Sequence, residues 1–206
     1  MRRTQDEADI TRQNILDAAL MVFSKVGYDA ARLKDIAEQA GVTRGAIYHH
    51  FEGKADLYCI LVGEAWDRIE PLIEGAIKEG GSMVDIIKRV FVRKMAYTAK
   101  DDVFRAVNEL QFFKTGMSPD LVDSVKWKRE GFRQGVDGVA QAVRAGIAEG
   151  SIRPNIDPIK AGIANIALQT GLTILWMIDP DLFSLAGDAE DFADLFNEGI
   201  TIPNKD

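Results

Sequence analysis

The sequence is poor in the residues that most chemistry needs. Its 206 positions hold one cysteine, Cys59, and two histidines, His49 and His50. A lone cysteine excludes an internal disulfide and a multi-cysteine metal site, and it suits a reducing, cytoplasmic setting. Two adjacent histidines leave little material for a metal or for acid–base work. Glu-x-x-His, His-Glu-x-x-His, Gly-x-Ser-x-Gly and a glycine-rich phosphate loop are all missing. An all-α enzyme is therefore disfavoured, and no metal or cofactor is expected. The first residues, Met-Arg-Arg-Thr-Gln-Asp, contain no apolar run, so no secretory signal is expected.

Long apolar runs are scarce too. One uncharged stretch, Ala161 to Ile178, is borderline in length for a membrane span. Asn165, Gln169 and Thr173 recur within it every four residues and draw a polar stripe along one side of a helix. A buried helix packed on several sides explains that stripe better than lipid does, so no membrane partner is expected.

What is present is a globular composition, 47% hydrophobic, with a net charge of −7 that is unevenly spread. Residues 1–54 balance eight basic against eight acidic side chains, leaving 17 basic against 24 acidic in 55–206. That split suggests an N-terminal unit that tolerates a polyanion and a C-terminal body that does not. The expected division is 1–54 and 55–206.

Apolar spacing is helical almost throughout, and the expected class is all-α. Ile15, Ala19, Val22, Phe23 and Val26 form one face that stops at Gly27. Leu33, Ile36, Ala37 and Ala40 form a second short segment, ended by Gly41. A third begins after Thr43, a good N-cap residue. Lys54 opens a long helix to about Lys78 with a kink expected at Pro71, and Gly80-Gly81 makes a linker. Further helices are expected near 82–99, 102–115, 119–149, 157–178 and 188–200.

Residues 33–52 carry the constraints of a helix-turn-helix. Ala37 suits a close helix crossing, Gly41 the positive φ of a tight turn, and Ile47 an inward anchor for the second helix. An ordinary helical hairpin would ask for the same three residues. The outward face of the second helix separates the two readings. It presents Thr43, Arg44, Gly45, Ala46, Tyr48 and His49, with no acidic residue between Glu38 and Glu52. Arg44 suits guanine O6 and N7 in a major groove. Gly45 and Ala46 allow close approach to base edges. Thr43, Tyr48, His49 and Lys54 suit phosphates. Arg2 and Arg3 are a weaker candidate, a minor-groove arm set against a frayed terminus.

Gly27-Tyr28, Leu33-Lys34-Asp35-Ile36-Ala37, Ala40 through Phe51, and Lys54-Ala55-Asp56-Leu57 together closely resemble the TetR family of bacterial transcriptional regulators. The resemblance covers about residues 11–60. From Gly150-Ser151-Ile152 to Asp179-Pro180 the chain is loosely similar to the regulatory domain of AcrR-type repressors of multidrug efflux. The resemblance implies a three-helix DNA-binding domain, a larger helical ligand-binding domain, and a homodimer that releases a near-palindromic double-stranded operator when a small molecule binds. One departure stands out. Where the family has hydroxyl residues before Leu33, this chain has Ala31 and Arg32, so the helix loses a cap worth about 0.5–2 kcal/mol. Arg32 is expected to replace the hydroxyl at a phosphate.

Candidate effector-pocket residues are the aromatic and polar side chains of the body: Trp66, Glu70, Phe91, Met95, Asn108, Phe112, Phe113, Trp127, Phe132 and Trp176. The expected small molecule is apolar or amphipathic, and the negative body leans away from strong anions. The last two helices are expected to form the dimer, through Ile163, Ile166, Thr170, Ile174, Phe192, Leu195 and Phe196, because a helix apolar on two sides needs a second thing to pack against. A competing reading has the body bind a protein partner instead of a small molecule. Cys59 is expected to be a packed small residue.

Overall fold

The architecture was obtained as a computed structural model, which describes residues 5–116 and 119–201. Arg2 and Arg3 lie outside the described residues. The described chain is helical, in keeping with its periodicity. Its one β feature is an isolated antiparallel bridge between Ile152 and Thr201.

Among the described residues ten α-helices follow one another: α1 Gln5–Ala30, α2 Leu33–Gln39, α3 Arg44–His50, α4 Lys54–Asp67, α5 Glu70–Lys78, α6 Met83–Lys100, α7 Asp102–Phe113, α8 Val122–Glu149, α9 Pro158–Ile178 and α10 Ala189–Glu198. A single 3-10 turn at Pro119–Leu121 precedes α8. The stop expected at Gly27 is a sharp bend. Gly27 adopts φ 77 and ψ 165, and one short turn continues to Ala30. A side chain there would be strained in φ and would stand 3.1 Å from the Lys114 carbonyl, to which the Tyr28 N–H donates at 2.9 Å.

The long helix expected from Lys54 to Lys78 is two helices. α4 ends at Asp67, and Pro71 sits in the first turn of α5. Proline is tolerated there because the first-turn N–H has no helical acceptor, so it starts a helix where mid-helix it would bend one.

The helices gather into two compact units. The first comprises Met1–Asp67 and Val103–Lys126, the second Arg68–Asp102 and Trp127–Asp206. In the first, Phe23, Tyr28 and Tyr58 stack with ring centroids 5.1–6.0 Å apart. The buried Tyr28 hydroxyl donates to Asp120 Oδ2 at 2.6 Å. Burial and that carboxylate together hold the Tyr28 phenol far above its ordinary pKa.

The second unit has two apolar clusters. Phe91, Met95, Leu172, Leu185, Ala189 and Ala193 form one, with Leu168, Trp176 and Phe192 against it. Ile87, Val143, Ile152, Ala161 and Ile200 form the other, with Phe196 against it. α8 and α9 cross closely at Gly162, where a Cβ would stand 2.5 Å from the Val136 carbonyl oxygen. α6 begins with a reciprocal capping box between Ser82 and Asp85. By length and composition α9 could cross a membrane, yet its polar stripe is buried inside this unit.

Candidate nucleic-acid interface and the C-terminal unit

α2, the turn and α3 follow from a few local residues. The Val42 N–H donates to the Ala37 carbonyl at 2.9 Å and the Gly41 N–H to the Glu38 carbonyl at 3.1 Å. That double bond is the Schellman closure, and it puts Gly41 at φ 67. Thr43 then caps α3, its hydroxyl oxygen accepting from the Ala46 N–H at 3.2 Å. Ile36, Ala37 and Ile47 are buried between the two helices. Packing on one side and capping at one end fix which residues of α3 remain outside.

Those residues are Thr43, Arg44, Gly45, Tyr48 and His49, all exposed, with Ala46 half-buried beside them. Arg44 does not extend freely. Its Nη2 donates to the Tyr48 hydroxyl at 2.9 Å and its guanidinium lies 5.4 Å from the Tyr48 ring centre. A reading arginine is thus held along its own helix until a better acceptor arrives. A Cβ on Gly45 would meet only Thr43 Oγ1, at an ordinary 3.7 Å. Folding therefore does not require glycine at that position. Arg32 occupies the N-cap of α2 with no side-chain hydrogen bond to the helix, so the missing cap is real. The Arg32 side chain is exposed.

Lys54, expected at a phosphate, has a different occupation in the folded chain. Its ammonium donates to the carbonyls of Tyr28 at 2.9 Å, Ala31 at 3.2 Å and Asp29 at 3.4 Å, and it stands 4.3 Å from the Tyr28 ring centre. It clamps the end of α1 to the start of α4. Nothing in the spacing of residues 28 and 54 announces that contact.

The ten expected pocket residues divide between the units. Trp66, Asn108, Phe112 and Phe113 belong to the first; Glu70, Phe91, Met95, Trp127, Phe132 and Trp176 belong to the second. Trp66 meets Phe104 edge-on with centroids 5.1 Å apart, and its indole N–H is enclosed with no acceptor. Asn108 is buried and donates to the Phe104 carbonyl of its own helix at 2.8 Å. Phe112 is half-buried and Phe113 exposed. Phe91 and Met95 are core, Trp176 packs on that core, and Glu70, Trp127 and Phe132 face outward.

The expected dimer residues also part company. Ile163 and Leu195 are 53% and 66% exposed. Thr170 and Ile174 are half-buried on the Ile163 side of α9. Ile166 instead turns toward α8 of its own chain, its Cδ1 lying 3.2 Å from where a Cβ on Gly135 would stand. Phe192 and Phe196 are half-buried and pack against the unit's two apolar clusters. α9 leaves uncovered a stripe of Ile159, Ile163, Ala167 and Ile178, separated by four, four and eleven residues, about one, one and three turns, and Leu175 is exposed as well.

Comparison with known proteins agrees with the helical fold and the N-terminal helix-turn-helix. Residues 15–58 match the family described as bacterial regulatory proteins, tetR family. Residues 83–200 match the C-terminal region of MAATS-type transcriptional repressors. The chain is 31% identical over 199 residues to the HTH-type transcriptional regulator TtgR of Pseudomonas putida, covering 94% of this chain and 93% of that protein. Its fold is similar to the crystal structure of NalD, the secondary repressor of the MexAB-OprM multidrug efflux pump in Pseudomonas aeruginosa, at a TM-score of 0.86 and 24% identity, covering 96% of this chain and 98% of that one. It is also similar to SmeT in its triclosan complex, with a TM-score of 0.81, 24% identity and coverage of 95% and 93%.

Proposed function

Because the chain belongs to the tetR family of bacterial regulatory proteins, it is a DNA-binding transcriptional regulator, and we propose that it is a homodimeric, cytoplasmic repressor which a small apolar or amphipathic molecule releases from its operator. The observation that carries the reading is the outward face of α3, which is exposed, contains no carboxylate and holds Arg44 against Tyr48. Thr43, Tyr48, His49 and Arg32 meet phosphates, Arg44 reads a base edge, and Gly45 and Ala46 admit the helix to the groove.

One helix of this length covers too few base pairs to specify a site. Two-fold symmetry pairs two of them at half-sites about 34 Å apart. The uncovered stripe on α9, with Leu195 of α10, supports a self-complementary interface. Release follows from the same geometry, since a shift of a few ångströms between the two heads spoils both half-sites together. Moving the population from about 1:99 to 99:1 takes roughly 5.5 kcal/mol of differential affinity, which two effectors per dimer supply at about half each. The triclosan complex of SmeT, similar in fold, supports a small-molecule effector over a protein one.

Footprinting on operator DNA, followed by titration with dyes, antibiotics and fatty acids, tests this reading. The expected result is a palindromic footprint that at least one compound abolishes. A non-palindromic site occupied by a monomer, or DNA affinity unmoved by every compound, overturns it.

A further inference from the structure

The arginine at the start of α3 and the tyrosine one turn after it are joined twice. Arg44 Nη2 donates to the Tyr48 hydroxyl at 2.9 Å, and the guanidinium carbon lies 5.4 Å from the Tyr48 ring centre. Residues four apart are neighbours on a helix surface, and a helical side chain leans over the turn that precedes its own Cα. Both tendencies bring Tyr48 over Arg44. The helix has little freedom to roll out of this arrangement. Ile47 and Phe51 are 0% and 2% exposed, and the Thr43 hydroxyl closes the first turn on the Ala46 N–H at 3.2 Å. Arg44 and Tyr48 are left outside together.

The two contacts constrain the guanidinium in different ways. The hydrogen bond sets where Nη2 stands, and the ring offers a face within the range of a cation–π contact. Arginine has a long stem whose rotamer freedom is lost when it grips a base, whereas tyrosine has only two side-chain torsions to fix. A side chain already braced in the free protein loses less on binding. The donor count leaves base reading open. A guanidinium has five N–H groups, of which Tyr48 takes one and a bidentate guanine contact needs two. The hydroxyl keeps capacity as well, because after accepting from Arg44 it still has its own O–H to donate to a phosphate oxygen.

The geometry points to Tyr48 as a positioning residue for base recognition: it braces the Arg44 guanidinium, so the preference at the base pair that Arg44 reads depends on a side chain that touches no base. This rests on the reading of Arg44 as the base contact and goes beyond it by naming what aims the arginine. When the Tyr48 hydroxyl donates to a phosphate while accepting from Arg44, one group ties the guanidinium to the DNA backbone. Position along the duplex and reading of the base are then set together. A tyrosine that met a phosphate and did nothing else would weaken binding to every duplex alike.

The test uses the whole chain, a duplex that it selects from a random DNA pool, and the single-base-pair variants of that duplex. Affinities are compared for the unaltered chain, Tyr48→Phe, Arg44→Ala and the double variant. Discrimination between two duplexes is a ratio within one preparation, so a partly unfolded variant does not mimic its loss. Arg44→Ala should cut discrimination about tenfold at one base pair of each half-site. Tyr48→Phe keeps the ring and removes the hydroxyl. It should cut discrimination at that same base pair about fivefold, the ratio that one hydrogen bond of ordinary strength carries, and leave the other base pairs as they were. In the Arg44→Ala background the same change should alter no base preference. An equal loss on every duplex in Tyr48→Phe, with discrimination untouched, overturns the proposal and leaves Tyr48 a phosphate contact alone. A base preference that Tyr48→Phe still changes in the Arg44→Ala background also overturns it, because Tyr48 would then read a base itself. If Arg44→Ala weakens all duplexes alike, the base-reading role of Arg44 falls, and the proposal with it. If selection enriches no duplex, sequence-specific binding itself fails, and both readings fall.

Discussion

Replacing Lys54 by methionine separates two roles for the same ammonium. In the folded chain Lys54 Nζ makes hydrogen bonds of 2.9 and 3.2 Å to the Tyr28 and Ala31 carbonyls, a longer one of 3.4 Å to Asp29, and a 4.3 Å approach to the Tyr28 ring. A hydrogen bond to a charged group contributes about 1.5–3 kcal/mol. A cation–π contact at a partly exposed site adds about 0.5–1 kcal/mol. Contacts that share one ammonium are not additive, so the loss for Lys54→Met should be about 2–4 kcal/mol. Methionine keeps the length and apolar stem of the side chain, so the change reports mainly on the charge. Urea unfolding of the whole chain measures the stability loss, and operator affinity across a salt series measures the electrostatic one. If Lys54 only clamps α1, stability falls and the slope of log affinity against log salt stays the same. If Lys54 neutralises a phosphate, the slope falls by about one per half-site. Unchanged stability together with a reduced slope would refute the clamp.

Arg44→Ala should cost about 1–3 kcal/mol on operator DNA and relax preference at one base pair, as loss of a bidentate guanine contact does; equal weakening on random DNA would make Arg44 a phosphate ligand. Gly45→Ala should raise thermal stability by up to about 1 kcal/mol, since alanine is the better helix former and the space is open. It should weaken operator binding at the same time, and undiminished binding would mean that α3 does not approach the bases at Gly45. Ile163→Glu places a charge on a side chain that is 53% exposed in the single chain, so sedimentation should show folded monomers with little operator affinity. A dimer that survives this change would remove the α9 stripe from the interface. Gly162→Ala sets a methyl 2.5 Å from the Val136 carbonyl oxygen and should cost about 1–3 kcal/mol by forcing α8 and α9 apart. An unchanged unfolding midpoint would show that the two helices yield easily.

The helix-turn-helix was legible because its determinants lie within a few residues of one another. Ala37, Gly41, Thr43 and Ile47 close the turn, cap α3 and seat it through bonds spanning no more than five residues. Such local contacts depend on backbone preference and side-chain type, which a sequence displays directly. The helical class and the linker at Gly80-Gly81 were readable for the same reason, and both of those glycines take positive φ. Tertiary packing decided the rest. It carried the Lys54 ammonium to carbonyls 23 to 26 residues away, and the Tyr28 hydroxyl to Asp120 across 92. It grouped Val103–Lys126 with the N-terminal helices. It also turned Ile166 toward α8 and left Ile163 exposed, although both are isoleucines on one apolar helix. The polar stripe of Asn165, Gln169 and Thr173 was visible as a spacing, but that it lies buried inside the second unit depended on which helices packed against it. Helical periodicity fixes which residues share a face. The partner that covers the face is chosen by packing between segments far apart in the chain.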